Sequence, residues 1–176
     1  VVIGNQMKKI FFITIVMLTF FGLKEVSAQK VAIGGEFGVN LFAKNSTNLA
    51  FPIGLTSEVD INGKLSAQFH LAFDIGLGAG DFNLFYVSPE ARYHFSEVFK
   101  GAYLGGYLGF GPAFGNGAAL NAFYFSVGAS GGYELMFMDI LNIDLSAQLG
   151  FGRVGSNFGS TNGVHFRPTV AVRYLF

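Results

Sequence analysis

The chain has 176 residues, 11 basic and 11 acidic side chains, no Cys and a mean hydropathy of +0.47. Charged residues make up only 12%, against about 25% in ordinary soluble domains, so a fully solvated surface is poorly supplied. The lack of Cys excludes disulfide and thiolate chemistry, and the balanced charge with no basic patch excludes a nucleic-acid partner.

Residues 1–6 precede Met7 and read as upstream sequence without a structural role. Lys8 and Lys9, the apolar run Ile10 to Leu23 and the small-residue site Val26-Ser27-Ala28 then predict a secretory signal peptide over 7–28. The apolar run falls short of the ~20 residues a spanning helix needs. Cleavage after Ala28 leaves 29–176 as one domain. The signal removes three bases and one acid, so the net charge becomes −2. No Cys is present for lipid anchoring, and no second domain or long linker interrupts the remainder.

Eight segments follow, each alternating with period two, the spacing of β-strands with different surroundings on their two faces. The first sets Val31, Ile33, Phe37, Val39 and Leu41 against Ala32, Glu36 and Asn40, and a polar loop, Phe42 to Pro52, follows. The second sets Ile53, Leu55, Val59 and Ile61 against Thr56, Glu58 and Asp60, ending at Asn62-Gly63, a strong hairpin signal because both residues tolerate positive φ. The third sets Leu65, Phe69, Leu71, Phe73 and Ile75 against Ser66, Gln68, His70 and Asp74. After a loop at Ala79 to Asp81, Phe85, Val87, Pro89, Ala91 and Tyr93 oppose Tyr86, Ser88, Glu90, Arg92 and His94. Pro89 predicts a bulge or a missing ladder bond.

A turn at Ser96 to Gly101 leads to the Gly-rich segment Ala102 to Phe114, whose phase the pattern leaves open at Tyr103 and Tyr107. Beyond a loop at Gly115 to Ala122, Phe123, Phe125, Val127, Tyr133 and Leu135 oppose Tyr124, Ser126, Ser130 and Glu134. After a turn near Phe137 to Ile140, Leu141, Ile143, Leu145 and Leu149 oppose Asn142, Asp144, Ser146 and Gln148. A loop from Arg153 to Gly163 delivers the last segment, in which Val164, Phe166, Pro168, Val170, Val172, Tyr174 and Phe176 face away from His165, Arg167, Thr169, Ala171, Arg173 and Leu175. Leu65-Ser66-Ala67-Gln68 recurs as Leu145-Ser146-Ala147-Gln148.

The apolar faces point to lipid. Lys30, Lys44, Lys64 and Lys100 all fall at strand ends, loops or turns, whereas a soluble barrel spreads Lys along its strands. Reversing the last strand would turn Arg167 and Arg173 to lipid, at roughly 2–4 kcal/mol each near the midplane. Eight strands of about the 9–11 residues that cross a bilayer predict an all-β, antiparallel up-and-down transmembrane barrel. The polar faces then form a lumen network of Glu36, Glu58, Asp60, His70, Asp74, Glu90, Arg92, Glu134, Asp144, Arg167 and Arg173, filling an interior too narrow for a water channel. At the closing seam, Glu36 is expected to pair with Arg173 or Arg167.

The ending Val170-Ala171-Val172-Arg173-Tyr174-Leu175-Phe176 resembles the closing strand of bacterial outer-membrane barrels. The chain as a whole resembles the small family that includes OmpX and the OmpA transmembrane domain. Ser88-Pro89-Glu90-Ala91-Arg92-Tyr93 is similar to a strand of porin-family barrels of this size. The resemblance implies a monomer in the outer membrane of a Gram-negative bacterium, surrounded by lipids that include lipopolysaccharide. It also implies an assembly signal at Val172, Tyr174 and Phe176 that the outer-membrane assembly machinery reads, and a role in envelope integrity, adhesion or defence.

If the chain binds a surface ligand, the expected places are Asn45, Ser46, Thr47, Asn48, Ser156, Asn157 and Phe158, because exposed loops on rigid scaffolds carry function. No catalytic, cofactor-binding or metal-ligating residues are assigned. Two alternatives stay open: an OmpW-like carrier of small apolar molecules, which needs an apolar lumen, and a lipid A-modifying enzyme using His165 with Asp74 and Ser156 or Ser160 at the rim.

Overall fold

The computed structural model describes residues 30–43, 47–78, 82–115, 122–156 and 159–176. The signal peptide and Asn45, Ser46, Asn157 and Phe158 lie outside them. The described strands are β1 (Val31–Gly38), β2 (Asn40–Ala43), β3 (Thr47–Asp60), β4 (Leu65–Gly76), β5 (Phe82–His94), β6 (Gly101–Gly115), β7 (Ala122–Phe137), β8 (Leu141–Ser156) and β9 (Gly159–Leu175). β1 and β2 are one stave interrupted at Val39. Both pair with β3 on one side and β9 on the other, so nine segments make eight antiparallel staves.

The sheet closes completely, which removes the exposed edges that an open sheet must protect. A walk along the hydrogen-bonding direction from Ala32 passes Glu58, Gln68, Glu90, Tyr107, Gly128, Gly150 and His165. It returns to the first stave at Phe42, ten residues from where it started. For eight strands, that stagger inclines each by about 40° to the barrel axis. Register, strand number and tilt are therefore mutually consistent.

The alternation places polar residues inside. Along β4 every second residue from Ser66 to Asp74 is buried, and every residue between them is exposed. The last stave follows suit, with His165, Arg167, Thr169, Ala171, Arg173 and Leu175 inside. In β6, Tyr103 and Tyr107 are both buried, which settles the open phase. Small residues make that phase possible. A Cβ at Gly109 would lie 2.5 Å from Tyr86 Cε2, and one at Gly150 would lie 2.7 Å from the Tyr107 hydroxyl.

Three local expectations change, and one resolves between its two alternatives. The loops expected at Phe42 to Pro52 and Arg153 to Gly163 are mostly strand, since β2 runs to Ala43, β3 starts at Thr47, β8 ends at Ser156 and β9 starts at Gly159. Polar residues there read as loop because a hairpin wet on both faces loses its period-two signal while its ladder continues. Asn62 does not take positive φ. Only Gly63 does, at 76°, while the Asn62 side chain accepts from the N–H groups of Lys64 and Leu65 at 3.2 and 2.9 Å. The pair with positive φ, as a type I′ turn requires, is instead Met138 and Asp139. Pro89 causes no bulge. The register is the same at Val87↔Phe110 and Glu90↔Tyr107, but no ladder pair forms between them.

Candidate functional site

The interior is layered. Nearest the end that carries the turns at 61–64, 96–100 and 138–140, the β5–β6 turn folds inward. Phe99, at φ 68°, is fully buried with Val98 against Ala32 and Leu175. The Phe99 carbonyl accepts from Asn142 Nδ2 at 2.9 Å, and Val98 N–H donates to the Gly63 carbonyl at 3.2 Å. An aromatic side chain and a backbone strap thus lie across this mouth.

Above it lies the ionic layer. Arg173 donates from Nε to Asn142 Oδ1 at 3.0 Å and pairs with Glu58 and Glu134. Arg92 reaches Glu90 at 2.5 Å, Asp144 at 2.9 Å and Glu58 at 3.2 Å, and lies 4.0 Å over the Tyr103 ring. Tyr103 in turn donates to Asp144 at 2.9 Å. His94 stands between Glu58 at 3.2 Å and Glu134 at 3.5 Å, and Ser66 Oγ lies 2.8 Å from its ring. His70 stands between Glu36 at 2.5 Å and Glu90 at 3.4 Å.

At the seam, Arg167 donates to Glu36 at 3.0 Å and sits 3.6 Å from Asp74. Glu36 is opposite Ala171 in the ladder, so Arg173 is the nearer partner by register. The guanidinium of Arg173 is already committed to Glu58, Glu134 and Asn142, which leaves Arg167 for Glu36. Asp74 completes this end by accepting from Asn40 Nδ2 at 2.5 Å. Asp60 stands apart from the layer. It is half-buried and accepts from the Gly63 N–H at 2.6 Å, capping a turn.

The third layer, toward the end where 44–46, 79–81, 116–121 and 157–158 link the staves, is aromatic. Phe42, Leu84, Tyr86 and Tyr124 are buried there with Phe82 and Val154 packed on them. His165 is enclosed by the rings of Tyr86, Tyr107 and Tyr124 at centroid distances of 6.0, 5.9 and 5.9 Å. Its Nδ1 is hydrogen-bonded to the Tyr107 hydroxyl at 2.9 Å. Between this layer and Asp74 a cavity of only about 10 Å³ is left. By sequence pattern the inward faces are mostly polar or small, with Tyr86 and Tyr124 among them. This layer is not visible in the alternation because Phe42 falls in a segment that reads as loop, and Phe82 and Leu84 precede the segment that reads as the fourth strand.

Of the residues in the enzyme alternative, His165 and Ser160 stand apart. His165 is fully buried on Tyr107, whereas Ser160 is exposed and accepts from Arg153 Nη2 at 3.0 Å. The fold does gather Glu58, His94 and Glu134, with ligand-type atoms within 4.8 Å of one another, although no sequence spacing suggests it. Arg173 bridges the two carboxylates and Arg92 reaches both, so guanidinium groups already supply the positive charge at that point. Gln148, Ser130 and Tyr86 also belong to the network. Glu90 accepts from Gln148 at 3.0 Å and from Ser130 at 2.8 Å, and Arg167 lies 4.5 Å over the Tyr86 ring. Their signal was their inward parity alone.

Of the expected binding residues, Thr47, Asn48 and Ser156 lie in strands of the loop-end hairpins, not in loops. Val172 and Tyr174 are exposed on the outer face of the last stave, and Phe176 is exposed at its end.

A closed eight-stave antiparallel barrel, charged within and apolar without, is the architecture of small outer-membrane β-barrel proteins. Neisserial surface protein A (NspA) has a crystal structure that superposes with a TM-score of 0.61 at 17% identity, over 85% of this chain and 98% of that one. The outer membrane protein OprG from Pseudomonas aeruginosa superposes with a TM-score of 0.52 at 11% identity, over 85% of this chain and 96% of that one. At such identities the likeness is one of fold. No curated protein matches the sequence. The family model described as Protein of unknown function (DUF3575) matches residues 11–158, and the chain belongs to that family.

Proposed function

We propose that the chain is an integral outer-membrane barrel with a sealed lumen, and that it serves envelope integrity or surface interaction through its outward hairpins. The observation that carries this reading is the inversion of its faces. Arg92, Arg167 and Arg173 are buried inside, whereas Leu55, Phe69, Leu71, Phe73, Leu104 and Phe125 are exposed around the wall. Water cannot be the solvent of such a wall, and a bilayer can. The fold shared with two outer-membrane proteins supports the same compartment.

With the N-terminus of the mature chain in the periplasm, the turn end is periplasmic and the β8–β9 hairpin, with Arg153, Ser160, Thr161 and Asn162 exposed, is extracellular. Phe99 below, the ionic layer and the aromatic layer above support a filled lumen over an open pore. Cell fractionation should recover the protein in the outer membrane, migrating differently on a gel with and without heating. Recovery in the soluble periplasm would overturn the reading, and large steady single-channel currents in a planar bilayer would overturn the sealed lumen.

The aromatic layer favours one second reading, in which the outer mouth accepts a small apolar molecule. Phe42, Leu84 and Tyr124 provide apolar surface of the right kind. Entry would require them to part, because the present cavity holds about 10 Å³. Saturable quenching of tyrosine fluorescence by an apolar ligand, lost in Phe42→Ala, would establish this reading over the first.

A further inference from the structure

The outer wall carries a groove near the turn end. Leu65, Tyr93 and Leu104 are cross-strand neighbours that form a bulky exposed row. The next row toward the middle is Ala67, Ala91, Gly106 and Ala129, paired in that order across four staves. Beyond it the wall rises again at Phe69 with Pro89 and at Leu108 with Val127. The result is a trench three inter-strand spacings long, or about 14 Å. Its turn-end part is a groove of about 440 Å³ lined by Ile61, Leu65, Ala91, Tyr93, Leu104 and Gly105.

A cation stands at its foot. Lys64, on the β3–β4 turn, reaches across to the β5–β6 turn, where its Nζ donates to the Phe95 carbonyl at 2.9 Å and to the Ser96 carbonyl. Phe95 lies two residues beyond Tyr93, just past the end of β5. An ammonium has three donors, so one N–H remains for an acceptor from outside. Lys30 and Lys100 are exposed at the same end of the barrel.

We propose that this groove is a phospholipid site: one acyl chain lies in the trench and a phosphate oxygen of the same lipid accepts from Lys64. The site rests on the reading that the wall faces a bilayer and the turn end faces the periplasm. Trench and ammonium together select a molecule with an apolar chain and an anionic head, which is a phospholipid of the periplasmic leaflet. A second copy of the barrel fits poorly. A two-fold contact would set trench against trench and bury little area on either.

The test is native mass spectrometry of the purified protein in mild detergent micelles supplied with phosphatidylglycerol or phosphatidylcholine. One phosphatidylglycerol should stay bound per chain. Ala91→Leu, which fills the trench, should weaken binding of both lipids about tenfold, the loss of roughly two methylene contacts. Ala147→Leu, the same change elsewhere on the wall, should leave binding unaltered. Lys64→Gln should lower phosphatidylglycerol binding about fivefold. Equal loss in Ala91→Leu and Ala147→Leu, or no loss in Ala91→Leu, would overturn the site. So would a protein dimer abolished by Ala91→Leu. Heat-dependent gel migration checks each variant's fold, and fractionation tests the membrane reading separately, so a failed site is distinguishable from a failed barrel.

Discussion

The two ends of the lumen are filled by opposite means. Toward the turns and up to the middle, three arginines and two histidines interlock with six carboxylates, and most members hold two or more partners. Toward the loops, rings pack edge to face around His165, and buried polar atoms without a hydrogen-bond partner among the described residues occur in both layers, the Tyr124 hydroxyl and His165 Nε2 here and Arg92 Nη2 in the ionic one. A buried ion pair strongly resists loss of one member, because the other is left charged and unpaired. A packed ring loses only contact area when trimmed by one atom. The ionic layer should therefore be brittle to conservative change and the aromatic layer tolerant of it.

The largest expected effect is at Arg173. Its replacement by Met keeps most of the volume but leaves Glu58, Glu134 and Asn142 without their shared donor. Removing one partner of a buried pair commonly costs about 3–5 kcal/mol. Urea unfolding in lipid vesicles should show a loss of that order. A loss under 1 kcal/mol would mean that water enters the layer and that the two ends do not differ in kind.

Next comes the seam. Glu36→Gln and Arg167→Met should couple by about 1–3 kcal/mol in a double-mutant cycle, since each contacts the other directly. Glu36→Gln with Arg173→Met should be closer to additive, because no direct bond joins them. Strong coupling of the second pair and none of the first would reverse the assignment of seam partners.

How much of this was legible beforehand differs by layer for a physical reason. The phase of seven of the eight segments follows from period two alone, because lipid outside and charge inside are far apart in hydropathy. The phase of β6 did not, since Tyr103 and Tyr107 are amphipathic and its glycines carry no side-chain signal. Glu36, Arg167 and Arg173 were visible as inward charges, but their pairing was not. It depends on the ten-residue stagger and on which guanidinium is already engaged, neither of which a single strand contains. The aromatic layer was hidden because Phe42 sits where the pattern reads as loop and Leu84 lies ahead of the first clear alternation of its strand, so only Tyr86 and Tyr124 were visible as inward rings. The hairpin tips were misjudged as loops because strand pairing outlasts the membrane that imposes the alternation.

Phe99 should come third. It stops the turn-end mouth from a left-handed backbone position, at φ 68°. Phe99→Gly relieves that backbone constraint while removing the ring, so the two effects on stability partly offset each other. The sharper measurement is access. A Cys placed at Ala32, which packs on Phe99, should react with a small maleimide much faster in Phe99→Gly than in its parent. Equal rates would show that the ring does not seal this end.

The smallest effect is expected at Tyr124, and it tests the tolerant half of the comparison. Its ring packs against Phe42 and Tyr86 at 6.0 and 6.1 Å and against His165 at 5.9 Å. Its hydroxyl is buried without a partner among the described residues. Tyr124→Phe keeps every ring contact and removes only that hydroxyl. A polar group buried without a hydrogen bond is unfavourable, so its removal should leave stability unchanged or raise it, by about 0–1 kcal/mol. Measured in vesicles beside Arg173→Met, the pair gives the contrast in one experiment: a single charged partner lost at one end, a single oxygen lost at the other. Destabilisation by more than 1 kcal/mol in Tyr124→Phe would mean that the hydroxyl bonds the nearby Ser126 side chain or an ordered water, and that the aromatic layer, like the ionic one, is held by polar contacts.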